Sequence, residues 1–266
     1  MNTPVSITLY GFVTSPYVQK VATYLTYKNL TYDFVNVDPV RPTQIRFSNQ
    51  RKVPVLMIDN EWRTESSQIG MWMDEKFPEK PLLGRNNEER ERILEIDRWV
   101  SETYIPSMAF RLAYEWQSIP VNLYVGWRLA YLLNQSRKLP LPFRVFWPLL
   151  IKKAGFIRDI VTHHVDLNEP IKEMRKRILG EVKQHLDGGP FLGGMQSPSL
   201  ADLSLYPLMV TPYQVLPLKA MDGPAQALLP KDPGILAWLE AVHHALPRSP
   251  LLVKDHCIVR PLPFEK

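Results

Sequence analysis

The sequence contains a single cysteine, Cys257, among its 266 residues. An internal disulfide is therefore impossible, and we expect the protein to work in a reducing compartment, the cytoplasm. The first residues, MNTPVSITLY, lack a basic segment followed by a long apolar core, so we expect no signal peptide. Apolar runs of about 18 residues are also missing, so the sequence predicts no membrane-spanning helix.

Signatures of nucleic-acid and metal binding are missing as well. The net charge is +5, and eight Arg or Lys residues stand against two acids between positions 111 and 165. No helix-turn-helix, zinc-ligand or RNA-binding motif accompanies this charge, so we predict no nucleic-acid partner. The pairs His163-His164 and His243-His244 would point in different directions on a helix, so we predict no metal site.

Proline, in contrast, is abundant, with 25 residues. Because proline removes a backbone donor and clashes with the preceding helical turn, we expect helices after about residue 100 to be short or interrupted. The 45% apolar and 22% charged contents are typical of a folded globular protein.

The hydrophobic pattern of the first 80 residues predicts alternating strands and helices. Residues 6–12 predict a strand, residues 16–27 a helix, and TYDFVNVD a second strand. VPVLMID and EWRTE predict a hairpin that turns at Asp59-Asn60. A short helix should follow from about Ser67 to Phe77, before PEKP ends it.

The pattern then changes to that of helices alone. NNEERERILEIDRWV places Ile93, Ile96 and Val100 on one apolar stripe, with charged residues on the other faces. We therefore predict an α/β domain over residues 1–80 and an all-helical domain over residues 88–266.

Three short segments are candidates for chemistry. In LYGFVTSPYVQKV, Ser15 and Pro16 separate a strand from a helix, and an ordinary helix start would explain both residues. In KVPVL, Pro54 fits either an ordinary strand opening or a cis bond that turns a backbone amide outward. In TESSQI, Glu65 and two serines stand where a strand gives way to a helix. The N-terminus of this helix could bind a carboxylate, or the serines could simply cap the helix.

In this order and spacing, the segments resemble the thioredoxin-like domain of cytosolic glutathione transferases over residues 6–83. SPYV stands where glutaredoxins have Cys-Pro-Tyr-Cys. VPVL corresponds to the family's cis-proline segment, and ES corresponds to its γ-glutamyl site. GGPFLGGMQSPSLADLSLYP resembles the family's signature before its buried core helix, where Ser199 and Asp202 can form a capping box. The resemblance covers roughly residues 6–110 and 170–245. It implies an α/β thioredoxin-like N-terminal domain followed by an all-α C-terminal domain.

The resemblance also implies roles by position. Ser15 would hydrogen-bond the glutathione sulfur and favour its thiolate, the reactive form. The backbone of Val53 would pair with the cysteinyl part of glutathione, and Lys52 would approach the glycyl carboxylate. Glu65 and Ser66 would hold the γ-glutamyl ammonium and carboxylate. The implied glutathione-binding residues are Ser15, Lys52, Val53, Pro54, Glu65 and Ser66.

The hydroxyl of Ser15 is expected to accept a helix N–H as a cap and to donate to the bound thiolate, since the two roles are compatible. Because Ser15 and Val18 stand in place of the two cysteines, dithiol chemistry is excluded at this site. Tyr10 is expected to pack rather than to catalyse, and Thr14 is a reserve hydroxyl beside Ser15.

The stretch over about residues 114–165 is longer than the corresponding connection in the family and is rich in aromatic and basic residues. It could be an enlarged substrate pocket or lid, a membrane-surface or partner-binding element, or extra helices that pack on the common core. A hydrophobic substrate site would include Phe12, Tyr114 and Trp116. Insertions of this kind resemble those of the metaxin and failed-axon-connections group and of type 2 prostaglandin E synthase, whose Cys-Pro-Phe-Cys segment is missing here.

These features predict a glutathione transferase that uses glutathione as co-substrate and adds its activated thiol to a hydrophobic electrophile. One alternative is a non-catalytic binding or adaptor protein of the metaxin or failed-axon-connections type, and another is a glutathione-dependent isomerase or peroxidase. From the resemblance alone we expect a homodimer. A peripheral membrane contact is compatible with the insertion but is not predicted.

Overall fold

The computed structural model describes residues 5–39, 41–111, 119–217 and 229–265. The described chain begins with an α/β unit and continues almost entirely as helices, as expected. The elements of the α/β unit are, in chain order, β1 (Ile7–Gly11), α1 (Pro16–Tyr27), β2 (Asp33–Asn36), β3 (Val55–Ile58), β4 (Glu61–Thr64) and α2 (Ser66–Lys76). The predicted order of strand, helix, strand, hairpin and helix is confirmed.

The four strands form one mixed sheet in the order β2-β1-β3-β4. β1 is parallel to β2, because α1 crosses between them, and antiparallel to β3. β3 and β4 form the predicted hairpin, with Asp59 at a φ of 54° in its turn. Along β1 the side chains of Ile7 and Leu9 are buried, whereas Thr8 and Tyr10 are half-exposed, so the strand covers the core with one face.

The register of the sheet brings three chain segments to one of its ends. Tyr10, near the end of β1, pairs with Val55, the first residue of β3. Val55 in turn pairs with Thr64, the last residue of β4. The residues that follow β1, precede β3 and follow β4 therefore lie side by side at this end of the sheet.

The helical part begins with α3 (Asn87–Trp99), which Asn86 caps by accepting the N–H of Glu89 at 2.9 Å. The further helices are α4 (Ile119–Ser136), α5 (Leu141–Lys152), α6 (Gly155–His164), α7 (Ile171–Leu186), α8 (Leu200–Val215) and α9 (Pro233–Ala245). None of the helices in the described chain combines the length and the apolar content needed to cross a bilayer.

Helix α8 is the buried centre of the helical part. The N–H and the hydroxyl of Ser199 donate to the carboxylate of Asp202 at 2.8 and 2.7 Å, so the predicted capping box is confirmed. The same carboxylate accepts the N–H of Leu192 and the indole N–H of Trp238, both at 2.8 Å. Burial raises the pKa of Asp202, and these donors oppose that rise by stabilising the charged form.

The expectation that proline would keep the later helices short is wrong for two of them. α8 continues for 16 residues with Pro207 and Pro212 inside it, and α5 contains Pro148. After α3 the chain forms π-helical turns over Val100–Tyr104 and Pro106–Phe110. Irregular turns commonly accompany proline in a helix, and burial of α8 stabilises it despite the lost backbone bonds.

Within the predicted insertion, α4 packs on the common core. Leu132 and Leu133 share a buried cluster with Val13, which follows β1. The guanidinium of Arg137 lies 3.2 Å from the carboxylate of Asp38, near the end of β2. The interpretation of extra packing helices therefore applies to α4, whereas α5 leaves much of its apolar surface exposed.

Candidate active site

Ser15 lies at the junction of β1 and α1, as predicted. Its N–H donates to the carbonyl of Phe12 at 3.1 Å, and its own carbonyl accepts the N–H of Gln19 at 3.0 Å. These bonds turn the chain from the strand into the helix, with Ser15 at the N-cap and Pro16 at the first helical position. The side chain of Ser15 is partly exposed, so a ligand at this end of the sheet could contact it.

The expectation that the hydroxyl of Ser15 caps α1 is wrong, because this hydroxyl accepts no N–H of the first turn. The backbone of Ser15, at φ −79° and ψ 124°, has the extended conformation of an N-cap, so only the side-chain bond is missing. The first-turn N–H groups of a helix have no intrahelical acceptor. Both these groups and the hydroxyl therefore remain available to a negatively charged ligand atom.

The Val53–Pro54 peptide bond is cis, which settles the choice between the two interpretations of this proline. Val53 is partly exposed and Pro54 is buried. The ladders of β3 begin only at Val55, so the backbone of Val53 takes no part in them. Lys52, directly before this segment, is exposed.

Helix α2 begins at Ser66 and its N-cap is Glu65, so the alternative in which Ser66 or Ser67 caps the helix is wrong. Glu65 has φ 61° and ψ 114°, in the positive-φ region that favours glycine. A non-glycine residue held in such a conformation costs about 1–3 kcal/mol, and such strain is typical of functional sites. The side chain of Glu65 is exposed, whereas Ser66 is buried.

Tyr17, in the first turn of α1, lies within electrostatic range of Glu65. Burial raises the pKa of Tyr17 to about 12, and the charges of Glu65 and Glu102 contribute to the rise. The phenol donates to the backbone carbonyl of Ser101 at 3.2 Å. Tyr17 is therefore a neutral hydrogen-bond donor near pH 7, and Glu65 lies within electrostatic range of the helix turn that carries Ser15.

A buried polar network lies behind the start of α2. The ammonium of Lys20 is 2.8 Å from the carboxylate of Asp97 and 2.7 Å from the hydroxyl of Ser101. The same carboxylate accepts the hydroxyls of Ser67 and Ser204. The network joins α1, α2, α3 and α8, so it fixes the N-terminus of α2 against the helical part.

This network was not predicted from the sequence, although the hydrophobic pattern contained a signal for it. Asp97 lies on the stripe that Ile93 and Val100 define, and Lys20 precedes the buried Val21 in α1. A charged residue on an apolar stripe implies a buried partner, because an isolated buried charge is very costly. Lys20 and Asp97 have opposite charges and lie on different helices, so the pattern is compatible with an ion pair between them.

Of the residues predicted for a hydrophobic substrate site, Phe12 is partly buried and packs against the clusters under α4 and β3. Tyr114 and Trp116 lie outside the described residues. The ring of Tyr10 contacts that of Phe47 edge-on, with centroids 5.2 Å apart. This contact agrees with the packing role that its position on β1 predicts.

In the described part of the chain, no three His, Cys, Asp or Glu side chains are grouped as metal ligands would be. The Nδ1 atom of His163 lies 2.6 Å from the carbonyl of Asp159. The Nδ1 atom of His243 lies 2.9 Å from the hydroxyl of Tyr206. One histidine of each adjacent pair is thus hydrogen-bonded to a protein oxygen.

Comparison with known proteins gives the family of the α/β unit. Residues 9–81 match the family described as glutathione S-transferase, N-terminal domain. This segment is a glutathione S-transferase N-terminal domain. All the candidate glutathione contacts, from Ser15 to Ser66, fall within it.

Solved structures extend the likeness to the whole fold. A β-etherase, LigF, from Sphingobium sp. strain SYK-6 has a TM-score of 0.60 at 18% identity, covering 92% of this chain and 97% of that one. Glutathione transferase F2 from Populus trichocarpa has a TM-score of 0.57 at 17% identity, covering 92% and 95%. The chain therefore has the glutathione transferase fold, a thioredoxin-like domain followed by a helical domain.

Two curated relatives each align with about a quarter of this chain. Prostaglandin E synthase 2 of Danio rerio is 36% identical over 69 residues, covering 26% of this chain and 18% of that protein. Glutathione S-transferase DHAR3, chloroplastic, of Arabidopsis thaliana is 36% identical over 69 residues, covering 25% and 27%. The chain thus spans less than a third of the length of the curated relatives that it matches.

Proposed function

We propose that the protein is a glutathione transferase that activates the glutathione thiol as thiolate for attack on a hydrophobic electrophile. The register of the sheet carries this proposal, because it places the segments of Ser15, Val53 and Glu65 side by side. The family match over residues 9–81 supports it from the sequence.

Glutathione would lie across this end of the sheet. Its cysteinyl backbone would pair with Val53, whose N–H and carbonyl are outside the ladders of β3. The exposed carboxylate of Glu65 would hold the γ-glutamyl ammonium, and Ser66 with the start of α2 would hold the carboxylate. Lys52 would approach the glycyl carboxylate. The ligand's charges would then meet opposite charges or dipoles at both ends.

The hydroxyl of Ser15 would donate to the sulfur, beside the N-terminus of α1. A free thiol has a pKa near 8.5, and a hydrogen-bond donor with a helix N-terminus lowers it by stabilising the thiolate. The thiol proton would leave to solvent, and the sulfur lone pair would form the new S–C bond while the electrophile gives up a π bond or a leaving group, which takes the electron pair of the broken bond. The missing cap bond supports this role, because the hydroxyl is not engaged by the helix.

The apolar substrate would lie on the side of Ser15 that Phe12 borders. Phe12 packs against the cluster that α4 contributes to, so this helix would form part of an apolar wall. An apolar wall would bind an electrophile without competing for the donors at the sulfur.

Substitution of Ser15 tests the proposal. Ser15→Ala should leave binding to immobilised glutathione nearly unchanged and lower the turnover of a broad electrophile panel by about 100-fold, as for loss of one transition-state donor. Ultraviolet absorbance of the bound thiolate, followed against pH, should show a raised thiol pKa. The matched control is Thr14→Ala, which removes the neighbouring hydroxyl one residue earlier. If the thiol titrates identically in wild type and Ser15→Ala, Ser15 has no part in activation.

A non-catalytic binding or adaptor protein is the second candidate, and the exposed apolar side chains of α5 favour it. Such a protein would bind immobilised glutathione, or nothing at this site, and would conjugate no member of the panel. A glutathione-dependent isomerase or peroxidase would instead use the same thiolate with an isomerisable or peroxide substrate in that panel.

We further propose a cytoplasmic homodimer, on the strength of the family resemblance and the single cysteine. Light scattering at micromolar concentration tests the assembly, and a monomer mass would contradict it. Cell fractionation tests the location.

A further inference from the structure

Helix α5 presents an apolar face to solvent. Its exposed apolar side chains are Leu141, Val145, Phe146, Leu149 and Leu150, and Leu141 is 66% exposed. Since successive residues of a helix are rotated by about 100°, these positions cover about half of the helix surface. Pro142 also lies within that half, so none of the side chains described there is polar.

The opposite side of α5 is already used for packing on α4. The indole N–H of Trp127 donates to the carbonyl of Val145 at 3.0 Å. Pro148 is buried, and a Cβ placed on Gly126 would come within 2.9 Å of its Cα atom. The helix is therefore held in one orientation, and its apolar half is directed outward by this packing.

Cations outnumber anions in the sequence around α5, although Arg137 pairs with Asp38 and Arg158 with Asp159. From residue 119 to residue 158 the sequence contains seven Arg or Lys residues and no Asp or Glu. Lys138, before the helix, and Lys153, after it, are exposed, and within the described chain neither pairs with a carboxylate. Arg144 lines a groove of about 360 Å³ between α4 and α5, beside Trp127. Cations thus lie at both ends and along one side of the apolar face.

We propose that this face of α5 docks on a lipid bilayer that carries anionic headgroups. The helix lies in the plane of the interface, with Phe146 and Leu150 among the acyl chains. Lys138 and Lys153 reach the lipid phosphates on their flexible stems. This assignment is independent of the glutathione site, which lies on the α/β unit.

The length and the composition of α5 favour a bilayer over other occupants. Its 12 residues span about 18 Å, less than the roughly 30 Å of a bilayer core, so the helix lies on the membrane. A specific protein interface carries about one hydrogen bond per 100–200 Å², and none of the exposed side chains described on the outward face of α5 can form one. A second copy of this chain would also bring the same cations together, whereas anionic lipids neutralise them.

Flotation of the purified full chain with lipid vesicles tests the proposal. The protein should float with vesicles of phosphatidylcholine and phosphatidylserine, float less with phosphatidylcholine alone, and be released at high salt. The double variant Phe146→Ser with Leu150→Ser should weaken binding by about tenfold or more, because two large apolar side chains are lost from the contact. Lys138→Glu with Lys153→Glu should remove the preference for phosphatidylserine.

Matched controls come from exposed residues away from α5. Leu167→Ser with Val259→Ser removes two exposed apolar side chains and should leave flotation unchanged. Lys254→Glu changes one exposed cation outside this region and should keep the preference for phosphatidylserine. Thermal unfolding of every variant shows that the fold is retained.

Wild-type protein that fails to float, or flotation that Phe146→Ser with Leu150→Ser does not weaken, overturns the proposal. A dimer mass in light scattering that falls to a monomer in that variant, without vesicle binding, assigns the face to a second copy instead. Because glutathione binding is measured separately on the affinity resin, failure of the transferase proposal leaves the flotation result unaffected.

Discussion

The ammonium of Lys20 lies 2.8 Å from the carboxylate of Asp97, with the two side chains 0% and 2% exposed. Lys20 also donates to Ser101, and Asp97 also accepts from Ser67 and Ser204. Breaking a buried ion pair is costly, since the remaining partner keeps its desolvation penalty without the attraction. The α/β unit and the helical part are therefore joined by a hydrogen-bonded charge pair as well as by apolar contact.

Lys20→Met should lower the free energy of unfolding by about 3–5 kcal/mol, because Asp97 stays buried without its cation. The double variant Lys20→Met with Asp97→Asn should be more stable than Lys20→Met alone, since the orphaned charge is removed. Denaturant unfolding of the wild type, both single variants and the double variant measures the coupling. If the two single losses simply add, the pair is not coupled in the folded protein.

Gly126 in α4 lies directly against Pro148 in α5. A Cβ at this position would lie 2.7 Å from Cβ and 2.9 Å from Cα of Pro148, whose ring cannot rotate away. Gly126→Ala should therefore destabilise the protein by about 1–3 kcal/mol, although alanine is the better helix former.

The control for Gly126→Ala is Gly180→Ala in α7, where nothing lies within 4 Å of the added Cβ. This control should stabilise the protein by about 0.5–1 kcal/mol through helix propensity. Urea unfolding compares the two variants. If Gly126→Ala stabilises the protein as much as Gly180→Ala does, Gly126 and Pro148 are not in close contact in the folded protein.

Glu65 combines a strained backbone with an exposed carboxylate. Two substitutions can therefore separate its effect on stability from its effect on glutathione binding. Glu65→Gly should raise the free energy of unfolding by about 1 kcal/mol, because glycine adopts a φ of 61° without strain. It should also weaken glutathione binding by about tenfold, since a charged hydrogen bond is lost. Glu65→Gln should weaken binding similarly without the gain in stability. Calorimetric titration and urea unfolding measure both effects, and unchanged affinity in both variants would remove Glu65 from the site.

The protein should lose stability on mild acidification. Burial lowers the pKa of His243 and that of His185 below the ordinary value of 6.5. Between the folded-state pKa of each histidine and pH 6.5, that histidine binds more protons in the unfolded chain than in the folded one. Stability therefore rises with pH across this window and falls as the pH drops through it.

His243→Gln tests the contribution of one of these histidines. Glutamine keeps a neutral polar group near the hydroxyl of Tyr206, which His243 meets at 2.9 Å, and it does not titrate. The loss of stability between pH 7 and acid should become smaller in this variant, as measured by urea unfolding at several pH values. If the loss of stability on acidification is unchanged in this variant, His243 does not contribute to it.

The sequence by itself determined the order of the elements, the hairpin turn at Asp59 and the capping box of Ser199 with Asp202. These features depend on side-chain periodicity and on hydrogen bonds between residues a few positions apart, so the signal and the structure occupy the same short segment. For the same reason the Ser15 segment could be placed between β1 and α1 in advance.

Only the tertiary structure decided the cis bond before Pro54, the absence of a side-chain cap at Ser15, and the pairing of Lys20 with Asp97. It also decided that α8 continues through its prolines and that the apolar half of α5 points outward. Each of these outcomes depends on which distant segment packs against the residue, because burial and partner groups alter the balance between nearly equal local conformations. That information is spread over the whole chain and is absent from any one segment of it.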